Sequence, residues 1–165
     1  MPRSLKLDRT PPHVVEKDMT DLDPCFLGAQ SFETAVLSTR CAEPDDIDEL
    51  GHVNNAVYVR WVQDAAVAHW FAVAPQEIHE RYIWAASQHI IDYTDQVFEG
   101  DQVDIRTWLG ARTGARFARH TDIRKPGAKR AAATAITQWV LLDRTSGRLR
   151  RVDDAMVELF GLKGL

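Results

Sequence analysis

Apolar residues recur at helical spacing through the middle of the chain and at every second position through much of its second half. Between Asn54 and Phe71, the residues Val57, Tyr58, Trp61, Val62, Ala65, Ala66, His69 and Trp70 fall at i, i+1, i+4 and i+5, with Arg60, Gln63 and Asp64 opposite. That pattern predicts one amphipathic helix. Asn54 or Asn55 is a suitable N-cap by residue type, and Pro75 ends the run. Roughly 18 residues at 1.5 Å each give about 27 Å, enough to lie across a whole sheet. A short helical turn through Gln76–Arg81 follows.

The flanking segments read as strands. Phe32, Thr34, Val36, Leu37 and Thr39 form a first strand beginning near Ser31 and closed by Pro44. Tyr82–Phe98 is a long second run, turning at Glu99-Gly100-Asp101. Gln102–Ala111 alternates, placing Val103, Ile105, Thr107 and Leu109 on one face. Thr113-Gly114 leads into Ala115–Arg124, and Lys125–Lys129 turns into Ala131–Asp143. Asp153–Phe160 reads as a short terminal helix. One strand, one long helix and a strand meander make an α+β domain with an antiparallel sheet. A single sheet with one helix leaves a sheet face to cover, so a homodimer or homotetramer is expected.

Two parts are expected within the 165 residues: a loose N-terminal arm over 1–30 and one domain over 31–165. Pro2, Pro11, Pro12 and Pro24 with mixed charge mark the arm. A net charge of −4 argues against a general nucleic-acid partner. No apolar run reaches the ~18 residues that a membrane span needs. Cys25 and Cys41 stand without CxxC or Cys/His spacing, which predicts reduced thiols and a cytoplasmic setting.

The chemistry concentrates just before the helix. Asp45, Asp46 and Asp48 lead through Gly51 and His52 to Asn54 and Asn55. A carboxylate, an imidazole and a helix N-terminus so close together suit attack on a polarised carbonyl: a base or nucleophile beside amide donors for the oxyanion. Gly51 permits a tight approach to the helix, and Val53, Asn54 and Asn55 are expected to present backbone N–H groups. Tyr58 and Trp61 lie on the apolar face, as core residues or as walls of an acyl pocket. Aspartates of a loop also cap turns, and His52 suits a structural hydrogen bond as well as a catalytic one.

The run Asp46-Ile47-Asp48-Glu49-Leu50-Gly51-His52-Val53-Asn54-Asn55, with Tyr58 and Trp61 following, resembles the signature of hotdog-fold acyl-CoA thioesterases, the 4-hydroxybenzoyl-CoA thioesterase-like group. A second stretch, His89–Tyr93, Phe98–Asp101 and Arg106–Trp108, is similar to the sheet segment after the helix in fatty-acyl-CoA members. The resemblance covers roughly residues 31–160. It implies an antiparallel sheet curled around one long central helix, with dimers joined sheet edge to sheet edge. It also implies an acyl-CoA substrate, hydrolysed to free acid and coenzyme A without a cofactor.

Residue by residue, the resemblance assigns the acting carboxylate to Asp48, three positions before Gly51, either as nucleophile through a mixed anhydride or as base for a water. It assigns the polarising amide to Asn55. The Asp-x-Asn-x-His pattern of plant acyl-carrier-protein thioesterases is broken here by Leu50, so His52 is a possible assistant. The stretch Arg112, Arg116, Arg119, His120, Arg124, Lys125, Lys129 and Arg130 suits coenzyme A phosphates, with Arg116, Arg119 and Arg124 singled out. Coenzyme A and acyl-carrier protein both remain open as carriers. The acids around His52 lack a second ligand set, so no metal is expected. The rival reading is a non-catalytic acyl-CoA binder with a sensing or regulatory role; the sequence patterns of hotdog dehydratases are absent.

Overall fold

In the computed structural model, residues 24–163 are described. Five strands form one antiparallel sheet: β1 (Val36–Cys41), β2 (Tyr82–Tyr93), β3 (Gln102–Thr113), β4 (Arg116–Arg124) and β5 (Ala133–Asp143), in the order β1-β3-β4-β5-β2. The long helix α1 (Asn55–Val73) lies on one face, followed by α2 (Gln76–Arg81), and α3 (Asp154–Glu158) comes after the sheet. The sheet with its central helix is the hotdog arrangement.

The helix forms where the apolar stripe lies. Val57, Tyr58, Trp61, Val62, Ala65, Ala66, His69, Trp70 and Val73 are all buried. Two apolar clusters meet along it. One, around Tyr58 and Trp61, takes Val103 and Ile105 from β3 and Ile123 from β4. The other, around Trp70, takes Leu109, Phe117 and Leu141 with Met156 and Phe160 from the C-terminal segment. α3 starts at the Asp153 side chain, which accepts from the Met156 N–H at 2.9 Å.

Three boundaries differ from the sequence expectation. The first strand begins at Val36, because the Thr34 hydroxyl accepts from the N–H groups of Gln30 and Ser31 and folds that stretch into a turn. Phe32 instead lies under the guanidinium groups of Arg106 and Arg124. Second, β2 ends at Tyr93, since the Thr94 and Asp95 N–H groups both turn to the Ala132 carbonyl. β2 also carries a bulge between Ala86 and Gln88, where the Ser87 hydroxyl donates to the Gln138 carbonyl.

Third, residues 24–30 are not part of a loose arm. Pro24–Phe26 form a 3₁₀ turn, Ala29 is buried, and the Ala29 carbonyl accepts from the Leu109 N–H at 2.9 Å. The rest of the expected arm, residues 1–23, lies outside the described residues. Among the described residues no helix is long and apolar enough to cross a membrane.

Candidate active site

The acid loop is built by short backbone bonds. A 3₁₀ turn, Pro44–Asp46, leads to a bridge between Ile47 and Val53. Within that bridge the Asp48 N–H donates to the His52 carbonyl at 3.0 Å, and the Gly51 N–H to the Asp48 carbonyl at 3.0 Å. The Asp48 side chain caps its own turn through Oδ1, which accepts from the Leu50 N–H at 2.9 Å; Oδ2 has no partner among the described residues. Gly51 adopts φ 81°, in the left-handed region that favours glycine. Leu50 points outward at 72 % exposure, so the position where the plant enzymes carry Asn is a surface position here.

The start of α1 is more selective than its sequence suggests. The Val53 N–H donates to the Val97 carbonyl at 2.8 Å, and the Asn54 N–H to the Asp46 carbonyl at 2.9 Å. Both amides are therefore engaged, contrary to the expectation that they would be open. Asn54 is the N-cap, its Oδ1 accepting from the Ala56 N–H at 2.8 Å, and Val57 N–H donates back to the Asn54 carbonyl. Of the amides expected at this end, the Asn55 N–H alone has no acceptor among the described residues. Its own carbonyl accepts from the Tyr93 hydroxyl at 3.1 Å, which ties the end of β2 to the helix start.

His52 is half-buried beside this turn, with Nδ1 3.4 Å from the Val53 carbonyl. Asp46 is buried and anchors the loop: its Oδ2 accepts from the Glu43 N–H at 3.1 Å, and its Oδ1 pairs with Arg60. Tyr58 and Trp61 pack edge to face in the core at 3 % and 2 % exposure. Burial pushes the Tyr58 phenol up to about 12, so it stays protonated. No group of His, Cys, Asp and Glu among the described residues is arranged to hold a metal.

The basic stretch does not form one surface. Arg116 is exposed at the start of β4, beside a polar groove lined by Ser87, Gln88, Thr113 and Gln138. Arg124 is held by Asp122 through two bonds of 2.6 Å, so its fork is already filled. Arg119 corrects the expectation of a surface cation: it points inward at 4 % exposure. Its Nη1 donates to Nδ1 of His69 at 3.0 Å and to the Thr107 hydroxyl at 3.2 Å. The alternation of β4 accounts for this, since Phe117, Arg119, Thr121 and Ile123 share the face turned to the helix.

Sequence reasoning also passed over His69 as anything but core. It is fully buried, and its Nε2–H donates to the Phe26 carbonyl at 2.7 Å, leaving Nδ1 to accept from Arg119. Burial and the adjacent guanidinium push it down to about 3, so it is neutral at ordinary pH. An arginine at the inward-facing fourth position of β4, and a histidine on an apolar helix stripe, were the available signals.

A curled antiparallel sheet over one long helix, with an acid turn at the helix start, defines a hotdog-fold protein. The chain belongs to the thioesterase-like superfamily, whose family model matches residues 42–160. Solved structures agree on the fold. A probable thioesterase from Escherichia coli is 17 % identical with a TM-score of 0.66, over 74 % of this chain and 94 % of that one. A 1,4-dihydroxy-2-naphthoyl-CoA thioesterase from Synechocystis is 15 % identical with a TM-score of 0.66, over 76 % and 94 %. A Staphylococcus aureus protein solved in complex with CoA is 13 % identical with a TM-score of 0.68, over 76 % and 80 %. A comparison with curated proteins returns no significant match.

Proposed function

We propose that the protein hydrolyses acyl-CoA thioesters to free acid and coenzyme A. The observation that carries this reading is the unengaged Asn55 N–H at the helix start, next to the turn that holds Asp48 and His52. Substrate carbonyl oxygen accepts from that amide and gains the positive end of the α1 dipole. Asp48 Oδ2, without a partner among the described residues, attacks the thioester carbon and expels the coenzyme A thiolate, leaving an anhydride that water hydrolyses, or it takes a proton from a water that attacks that carbon as the thiolate leaves. His52 assists by orienting that water. A phosphate of coenzyme A takes Arg116, the exposed member of the three arginines.

The catalytic unit is an oligomer in this reading, a homodimer or a homotetramer built from it. β2 is a sheet edge, and Ile83, Ile90 and Tyr93 are exposed along it. Such an edge is a ready template for pairing with a second copy. The family match and a CoA-bound structural neighbour support the thioester chemistry.

The test is thiol release from short, long and aromatic acyl-CoAs, with wild type and Asp48→Asn compared. Turnover that falls at least a hundredfold in the folded variant establishes the reading. Binding of acyl-CoA without turnover, or equal rates in both proteins, removes Asp48 from the chemistry. The turn cap from Asp48 Oδ1 to Leu50 would then be its role, and binding without turnover would put acyl-CoA sensing first.

A further inference from the structure

An apolar cavity of about 220 Å³ opens between the C-terminal half of α1 and strands β2, β4 and β5. Its walls are aromatic: Trp70, Trp84, Phe117, Trp139 and Phe160. At about 30 Å³ per water-sized volume, it accepts a single ring or a short chain. Ala66, Val67, Trp70 and Phe71 of α1 line it, so it begins on the order of 17 Å along the helix from Asn55 at 1.5 Å per residue. It is therefore separate from the Asp48 turn.

Arg119 also lines this cavity. Its Nη1 is bonded to two neutral acceptors, His69 and Thr107, while Nε and Nη2 have no acceptor among the described residues. No carboxylate pairs with it there either. Burial pushes the guanidinium down to about 9, which still leaves it cationic near neutral pH. Two residues of the same walls, Trp84 and Trp139, carry buried indole N–H groups that have no acceptor among the described residues. Arg144 adds a second cation at the rim. A buried charge without a counter-ion is costly, and apolar walls around it strengthen its pull on an anion.

We propose that this cavity binds a small carboxylic acid, with its ring or chain among the tryptophans and its carboxylate on the Nε–Nη2 edge of Arg119, whose flat face lies over the Phe160 ring. Arg presents two parallel donors that match a carboxylate. The carboxylate has two sources: a free acid, or the far end of a dicarboxylic acyl chain whose thioester sits at Asn55. The first does not rest on the thioesterase reading; the second does.

Titration of the full chain with benzoate and octanoate, against benzyl alcohol and octanol, tests the proposal. Calorimetry gives the affinities, and intrinsic fluorescence reports directly because three tryptophans line the cavity. Each acid is expected to bind at least tenfold tighter than its alcohol. Arg119→Met should erase that preference and leave alcohol binding intact. Val67→Phe, which narrows the cavity mouth, should weaken acid and alcohol together; it stands in if Arg119→Met does not fold. Equal affinities in wild type, a preference kept in Arg119→Met, or acid binding untouched by Val67→Phe would overturn the assignment. In a thioester turnover assay, octanoate raising KM marks the acyl route, and unchanged kinetics with acid bound marks a separate site. If no thioester turns over, the binding result stands by itself.

Discussion

Asp46 and Arg60 form an ion pair that ties the acid loop to the second turn of α1, with Asp46 buried and Arg60 largely exposed. The same aspartate accepts from the Glu43 N–H, and its carbonyl accepts from the Asn54 N–H. One residue therefore fixes both the loop and the N-cap of the helix. Its role is to position the turn that carries Asp48 and His52.

The two partners should respond unequally to truncation. Asp46→Ala removes a buried carboxylate with several bonds and is expected to cost about 2 kcal/mol. Arg60→Ala leaves an acid that keeps its bond from the Glu43 N–H and is opened to water by loss of the covering side chain, and is expected to cost less, about 1 kcal/mol. Urea unfolding of both variants measures the difference. Similar losses in the two would mean that the ion pair, rather than the carboxylate's bond from the Glu43 N–H, holds the loop.

Asn55 offers an uncommon way to delete a backbone donor. It is the first residue of α1, where proline is tolerated, and the preceding Asn54 has φ −61° and ψ 139°, the extended conformation that a following proline requires. Asn55→Pro should fold with wild-type stability and yet lose about 10²–10³ in kcat, with KM little changed. Thiol-release kinetics beside a circular-dichroism melt decide it. Full activity in the folded variant would place the oxyanion donor elsewhere.

Removing the cap nearby should have the opposite signature. Asn54→Ala frees the Ala56 N–H from its 2.8 Å bond and is expected to cost about 1 kcal/mol of stability. Thermal denaturation should show a fall of about 2–4 °C. An unchanged midpoint would show that tertiary packing, not the cap, fixes this helix end.

Acid should destabilise the protein through His69. Its native form resists protonation to about 3 because of burial and Arg119, whereas an unfolded histidine takes a proton near 6.5. Between those values the unfolded chain binds more protons, so stability is complete above about pH 6.5 and is lost as pH falls toward 3. The full effect is on the order of 5 kcal/mol. Chemical denaturation at stepped pH should show that slope, and His69→Gln should flatten it above about pH 5, where carboxylates contribute less. An identical slope in the variant would assign the acid loss to other groups.

Much of the fold could be read from periodicity. The stripe on α1 and the alternation of Val103, Ile105, Thr107 and Leu109 appear in the structure as drawn from the sequence. Those patterns report burial directly, which is why they survive. Phe32 and the segment 24–30 depart from the pattern because the Thr34 hydroxyl turn competes locally with the strand, while the Phe32–Arg124 contact and the bond from Leu109 to the Ala29 carbonyl depend on partners far along the chain. At the site, residue types pointed to the helix start but not to which amide stays open. That depends on the carbonyls of Val97 and Asp46, and no local pattern records them. The basic run failed for a simpler reason: strand alternation sends Arg119 inward while Arg116 and Arg124 remain on other surfaces.

The 19 residues of α1 span about 28 Å, with the Asp48 turn at one end and the His69–Arg119 pair near the other. Groups so far apart with no shared partner act as independent variables, and their substitutions combine additively to within about 0.5 kcal/mol. Substitutions around the aromatic cavity can then be made without disturbing the Asp48 turn at the other end. A rigid rod of this length lets one small domain evolve its two ends on separate schedules.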